Sequence, residues 1–371
     1  MVMLTLRSLF FLWLVWFSFI GSVHADDSVN DLIARLGLVE SDQPVRERDN
    51  WRRPKRILLR RLPPKHLTEL QQQIPDVELI MVRSDEEAMK YVSTADALIG
   101  MCSADLIKAG SELRWIHILS AGVEYCDLTS EIQERNILVT NMQRVNSDPI
   151  AEHVIALLLS LSRNLKHYMT QQSLENWDQP PFWTGSAWEL KGRTLLVVGL
   201  GGIGTAVAER AHGLGMRVIA IRNSSRDGPD FVDHVGLSDE LLDFAADAHV
   251  VVNALPLTPS TEGLFDADFF LSMKEEAFFI SVGRGKSVVT SDLIVALEDG
   301  KIAGAGLDVV DPEPLPKGHP LWSTPNVVIT PHVAASSDQN AERVATVVRE
   351  LIRRYATGER VYSVVNVDKG Y

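Results

Sequence analysis

With 371 residues, 46% of them hydrophobic and 23% charged, the chain has the make-up of a globular protein and enough length for two domains of ordinary size. Its net charge of -13 argues against nucleic acid as a partner, because phosphate binding needs a basic surface. Two cysteines, Cys102 and Cys126, are too few for a disulfide scaffold and match no metal-ligand spacing; both follow strand-like runs, so a single bridge between them stays open.

The chain opens on an apolar run at residues 8–20, behind Arg7, and Val23-His24-Ala25 offers small residues where a signal peptidase reads. Residues 1–25 therefore read as a secretory signal cut after Ala25, giving an exported, periplasmic-type protein. An uncleaved membrane anchor is the rival, since Leu4 to Val23 approaches the roughly 20 apolar residues that span a bilayer. A cytoplasmic protein follows only if the start is mis-assigned. Residues 26–54 are polar, with one weakly amphipathic stretch from Val29 to Leu38, and read as an arm or linker. The basic cluster Arg46, Arg48, Arg52, Arg53, Lys55, Arg56, Arg60 and Arg61 reads as a solvated face of that linker.

After Pro54, short apolar runs recur with helix-like segments between them, at 57–59, 78–82, 97–99, 115–119 and 137–140. Strands alternating with helices at this spacing imply a parallel α/β layer. A long helix is expected from Asp148 to Gln171, with Asp148 as its cap and Pro149 in its first turn. The tract Trp177 to Trp188, with Pro180-Pro181, reads as a loop that either packs in the core or meets a second subunit. A second α/β unit follows, with strands at 195–198, 217–221, 249–253, 278–282, 303–309 and 327–330, and a last helix from Ser337 to Tyr355 that returns to the first domain. The expected organisation is thus two Rossmann-like parallel-sheet domains: a discontinuous substrate domain, 55–148 plus 335–371, and a dinucleotide-binding domain, 149–334.

The chemistry follows the strand ends. Gly199-Leu200-Gly201-Gly202-Ile203-Gly204 lies between a strand and a helix, so a pyrophosphate can approach the backbone and face the helix N-terminus. The acidic residue expected at the next strand end for a ribose hydroxyl is absent; Arg222, Asn223 and Ser224 stand there and suit a 2′-phosphate, which favours NADP(H) over NAD(H). Leu255, Pro256, Val282 and Gly283 follow later strands at the same edge and are expected to be further cofactor contacts. Asp308 either touches the nicotinamide side or makes a structural hydrogen bond. Arg284 can grip a carboxylate with two parallel hydrogen bonds, and His332, partnered by Glu313, can exchange a proton near neutral pH. Hydride transfer to a 2-oxo acid needs these three groups. His153, on a helix expected to be buried, reads as a packed structural histidine.

The set Ser120-Ala121-Gly122-Val123-Glu124, Ala151-Glu152-His153, the glycine fingerprint, Leu255-Pro256-Leu257-Thr258, Val282-Gly283-Arg284-Gly285, Leu307-Asp308-Val309, Glu313-Pro314-Leu315-Pro316 and Thr330-Pro331-His332 resembles the D-isomer-specific 2-hydroxyacid dehydrogenases, above all the glyoxylate and hydroxypyruvate reductases. The resemblance runs from about Ile57 to the C-terminus. It implies that Arg284 binds the substrate, that His332 is the acid-base with Glu313 as its partner, and that the backbone amides at Gly122 and Val123 cradle the carboxylate of a small 2-oxo acid. It further implies a D product; a homodimer is also expected. Ser281 departs from the asparagine that many members carry, and Arg222 from the aspartate of NAD users. Two other readings are a dinucleotide-sensing binding protein, against which the intact trio speaks, and a formate-type dehydrogenase, against which Glu313 speaks.

Overall fold

A computed structural model describes residues 25–128, 130–180 and 187–370. The apolar run expected to be a signal, and residues 181–186 of the tryptophan-rich tract, lie outside the described residues. The first sheet comprises β1 (Arg56–Leu59), β2 (Glu78–Met81), β3 (Ala97–Ile99), β4 (Trp115–His117) and β5 (Leu138–Thr140), in the order β2-β1-β3-β4-β5. The second comprises β6 (Thr194–Val198), β7 (Arg217–Ile221), β8 (His234–Gly236), β9 (Val250–Asn253), β10 (Phe278–Ser281), β11 (Gly304–Leu307) and β12 (Val327–Ile329), in the order β12-β11-β10-β9-β6-β7-β8. Every strand pairing is parallel. Helices cover both faces of such sheets, which is why the central strands are apolar without alternation.

Each sheet has apolar clusters on its two faces. In the second, the helix Ser147–Ser162 packs with the helix Gly202–Gly213 on one face, while Phe265, Phe269 and Phe270 fill the other. Chain order reverses between β6 and β9, and likewise between β1 and β3. Crevices at the carboxyl ends of strands open at such reversals.

Three expectations change. The segment 26–54 is not a loose arm: the helix Ala25–Leu36 buries Val29, Ile33 and Leu36 with the C-terminal helix Asn340–Thr357, and Val45 joins the same cluster. Its apolar residues fall on one stripe at helical spacing, the stretch from Val29 to Leu38 that reads as weakly amphipathic in the sequence. The basic cluster is a solvated face only in part: Arg46, Arg53, Lys55 and Arg61 are exposed, but Arg52 pairs with Asp96 and Glu112, Arg56 with Glu78 and Arg60 with Asp85. The long helix expected from Asp148 to Gln171 breaks at Asn164, which takes a left-handed φ of 54°, giving helices Ser147–Ser162 and Leu165–Ser173. Asparagine is among the few residues that accept that conformation readily.

Candidate active site

The glycine fingerprint follows β6 at the chain reversal. Gly199 takes a φ of 101°, and a Cβ there would lie 2.9 Å from the Ala254 carbonyl. Beside Gly201 nothing stands within 4 Å, so this turn leaves room for a ligand to reach the backbone. At Gly204 a Cβ would collide with the Gly199 carbonyl and Val197, so the helix Gly202–Gly213 can sit close on β6 only with glycine there. Tight turn, open approach and close helix packing are the three demands of a pyrophosphate-binding loop, and the residues present fit a dinucleotide. Gly202 faces Arg144 and Ser147, and Ile203 packs at the margin of the cluster beneath. Arg222 stands at the carboxyl end of β7, where it donates to the Asp227 carbonyl at 2.8 Å, beside exposed Asn223 and Ser224.

Leu255 and Pro256 follow β9, and Val282 and Gly283 follow β10. These two turns are clamped together by Asn253, a residue that sequence reasoning did not single out. It is fully buried, donates to the Ser281 and Ser287 hydroxyls at 3.0 and 2.8 Å, and accepts from the Leu255 amide at 3.1 Å. The departure at Ser281 is thereby accommodated. A Cβ at Gly283 would meet the Leu255 carbonyl and Asn253, so the turn leading to Arg284 passes tightly under β9.

Arg284 reaches from the second sheet to the first. Its Nε pairs with the Glu124 carboxylate, its Nη1 donates to the Gly283 carbonyl at 2.7 Å, and Gly122 packs against its guanidinium. Gly122 and Arg284, which sequence reasoning joined, therefore do meet, across the cleft between the two sheets, while the next residue, Val123, buries its side chain in the apolar cluster of the first sheet. The contact with Glu124 had no signal in the sequence beyond its place in the loop.

His332 follows β12, and its Nδ1 lies 2.6 Å from Glu313 Oε1. The carboxylate takes Nδ1, so that nitrogen carries the proton and Nε2 is left to exchange one with a ligand. His332 itself holds a φ of 53°, an unusual conformation for a side-chain-bearing residue, and its amide donates to the Asp308 carbonyl at 2.8 Å. Asp308 is buried; its carboxylate accepts from Thr330 Oγ1 at 2.7 Å, from the Val333 amide at 2.9 Å and from the Ala334 amide at 3.0 Å. That set of bonds favours the structural alternative for Asp308: it organises the loop that carries the imidazole. His153 Nε2 adds a contact of 2.8 Å to Thr330 Oγ1, as a packed residue behind that loop.

The layer of the first sheet carries a further link. Cys102, after β3, is bonded to Cys126, with Cα atoms 5.2 Å apart, so the bridge left open by the sequence is present. It ties the end of the Gly122 loop to the turn after β3. Among the described residues no group of histidine, cysteine and carboxylate side chains could hold a metal ion.

Residues 155–334 match the family model described as "D-isomer specific 2-hydroxyacid dehydrogenase, NAD binding domain". A human protein named glyoxylate reductase/hydroxypyruvate reductase is 35% identical over 273 residues, which cover 71% of this chain and 83% of that protein. A glyoxylate reductase of Thermofilum pendens is 32% identical over 292 residues, covering 76% of this chain and 85% of the relative. Among solved structures, an NADPH-dependent glyoxylate/hydroxypyruvate reductase from Sinorhizobium meliloti, in complex with NADP and sulfate, superposes with a TM-score of 0.71 at 27% identity, covering 85% of this chain and all of that one.

Proposed function

The chain belongs to the D-isomer-specific 2-hydroxyacid dehydrogenase family of NAD(P)-dependent oxidoreductases, and from that premise we propose that it reduces a small 2-oxo acid of the glyoxylate or hydroxypyruvate type to the D-2-hydroxy acid with NADPH. The observation that carries this reading is the 2.6 Å contact between His332 and Glu313, set at the same strand edge as Arg284 and the glycine turn. Gly199, Gly201, Gly202, Ile203 and Gly204 would hold the pyrophosphate, with Leu255, Pro256, Val282 and Gly283 beneath the rest of the dinucleotide. When bound, the dinucleotide supplies the hydride. Arg284 and the Gly122 and Val123 amides orient the carboxylate, and His332 Nε2 gives a proton to the carbonyl oxygen as it gains charge. Glu313 fixes the imidazole's tautomer and offsets the positive charge of its protonated form. NADPH is favoured because Arg222, with Asn223 and Ser224, offers a cation and polar groups where a 2′-phosphate would lie, and the Sinorhizobium relative was solved with NADP; NADH remains the weaker alternative.

The assay that tests the reading is loss of NADPH absorbance with glyoxylate or hydroxypyruvate, with NADH in parallel. No decay with any small 2-oxo acid leaves a dinucleotide-binding protein without turnover.

The same reading includes a homodimer. Leu165, Met169, Leu174 and Trp177 are exposed on and just after the helix Leu165–Ser173, Trp177 at 91%, and a second copy of the chain is the partner that would cover them. Light scattering that finds only monomer would end that part. Export is proposed from the apolar run at 8–20, and a Cys102 to Cys126 bridge is at home in an oxidising compartment. Mass spectrometry of the mature N-terminus, with cell fractionation, decides between cleavage after Ala25, an uncleaved anchor and a cytoplasmic protein.

A further inference from the structure

The seat that Arg284 would offer a substrate carboxylate is already taken by one. The Glu124 carboxylate pairs with Arg284 Nε, and the two side chains are each only 20% exposed. Gly122 lies so close to both that an added Cβ would meet Arg284 Nη2 and both Glu124 oxygens. The loop beneath is firmly held: Ser120 Oγ donates to the Gly122 carbonyl at 2.7 Å, Asn141 Nδ2 donates to the Ala121 carbonyl at 2.6 Å, and Cys126 is bonded to Cys102. What can move at this point is the Glu124 side chain.

We propose that Glu124 is a resident carboxylate, which holds Arg284 in the free protein and is displaced by the incoming acid, so that it sets both the affinity and the charge selectivity of the site. This rests on the reading of Arg284 as substrate anchor. Arg284 Nη1 already donates to the Gly283 carbonyl and Nε to Glu124, so an acid that takes two parallel bonds from the Nε edge of the guanidinium can do so only if Glu124 withdraws. The substrate then gains the difference between two ion pairs instead of a whole one. Once displaced, Glu124 stays tethered to the loop beside the bound acid. A monocarboxylate brings one like charge towards it and a dicarboxylate brings two, so 2-oxo diacids are penalised most.

The test uses oxamate, a monocarboxylate that cannot be reduced, titrated calorimetrically into the parent, Glu124→Gln, Glu124→Asp and Arg284→Lys, each first checked by thermal melting. Glu124→Gln is expected to bind oxamate about three- to tenfold more tightly than the parent, the scale of one partly exposed ion pair. Glu124→Asp, shorter by one methylene, should move affinity less. In NADPH assays the same Gln variant should gain through KM, and by a larger factor for oxaloacetate than for glyoxylate. Unchanged or weaker oxamate binding by Glu124→Gln, while Arg284→Lys abolishes it, overturns the role given to Glu124 and leaves the anchor standing. Parent-level binding by Arg284→Lys overturns the anchor itself, and the proposal with it.

Discussion

His332 is held less by packing around its ring, which is 37% exposed, than by the strained turn on which it sits. Three donors converge on the Asp308 carboxylate and fix that turn, so replacing the imidazole removes a proton donor while leaving its supports in place. His332→Ala should therefore lower kcat by about two to four orders of magnitude, the usual contribution of a positioned acid, while NADPH still binds. Fluorescence titration measures the binding; near-normal turnover would remove His332 from the reaction. Arg222 makes a separable prediction, because its side chain is partly exposed and donates to the Asp227 carbonyl, a contact at the surface rather than in the core. Arg222→Asp should weaken NADPH use by at least about tenfold more than NADH use, since a charge-assisted contact to the 2′-phosphate would be replaced by repulsion. Equal losses for both cofactors in steady-state kinetics would sink the 2′-phosphate assignment.

At the scale of elements, what the sequence revealed and what it hid divide along physical lines. The strands with continuous apolar runs, such as Leu195 to Val198 and Phe278 to Ile280, were legible because burial on both faces leaves few polar positions. The glycine turn, Arg284, Glu313 and His332 were legible because few residue types can do their work. β8, His234–Gly236, went unseen: three residues at a sheet edge, one of them glycine, carry no pattern. The stripe of the helix Ala25–Leu36 was legible as a weak amphipathic stretch, but its packing on the C-terminal helix was not, and the turn at Asn164 was masked by the apolar residues that precede it. Asn253 and the partner of Glu124 were beyond reach for another reason, because hydrogen bonds between strand ends depend on which strands become neighbours. The bond between Cys102 and Cys126 belongs here too, since it joins two loops 24 residues apart in sequence. Closing a loop of that length restricts the unfolded chain by about 3 kcal/mol. Reduction by a dithiol should lower the melting temperature by several degrees and loosen the Gly122 loop, raising KM for the oxo acid. A melting temperature unmoved by reductant, with both thiols mapped as free, would contradict this.

Over the whole molecule, stability against acid is set away from the cleft. His117, on the central part of the first sheet, is fully buried between Thr140 Oγ1, 2.9 Å from its Nδ1, and Met142 Sδ, 3.2 Å from its Nε2. Burial holds its pKa down to about 3, against an unfolded value near 6.5, so the ring stays neutral in the folded protein. Between those two values the unfolded chain binds a proton that the folded chain refuses. Stability from this group is complete above about pH 6.5 and is lost as pH falls towards 3, at up to about 1.4 kcal/mol per pH unit. The carboxylates act lower on the scale. Glu350 is buried, which alone would push its pKa up, yet hydrogen bonds from Arg353 and Arg354 hold it below the ordinary carboxylate range; Glu359 is held down likewise by Arg353. Their contribution is intact above the unfolded carboxylate value, about 4.3, and disappears only below it. Urea midpoints measured between pH 7 and 5 should therefore fall for the parent, while His117→Gln, less stable at pH 7, should show a flatter curve over the same interval. Parallel curves for the two proteins would mean that the acid sensitivity in this range comes from another group.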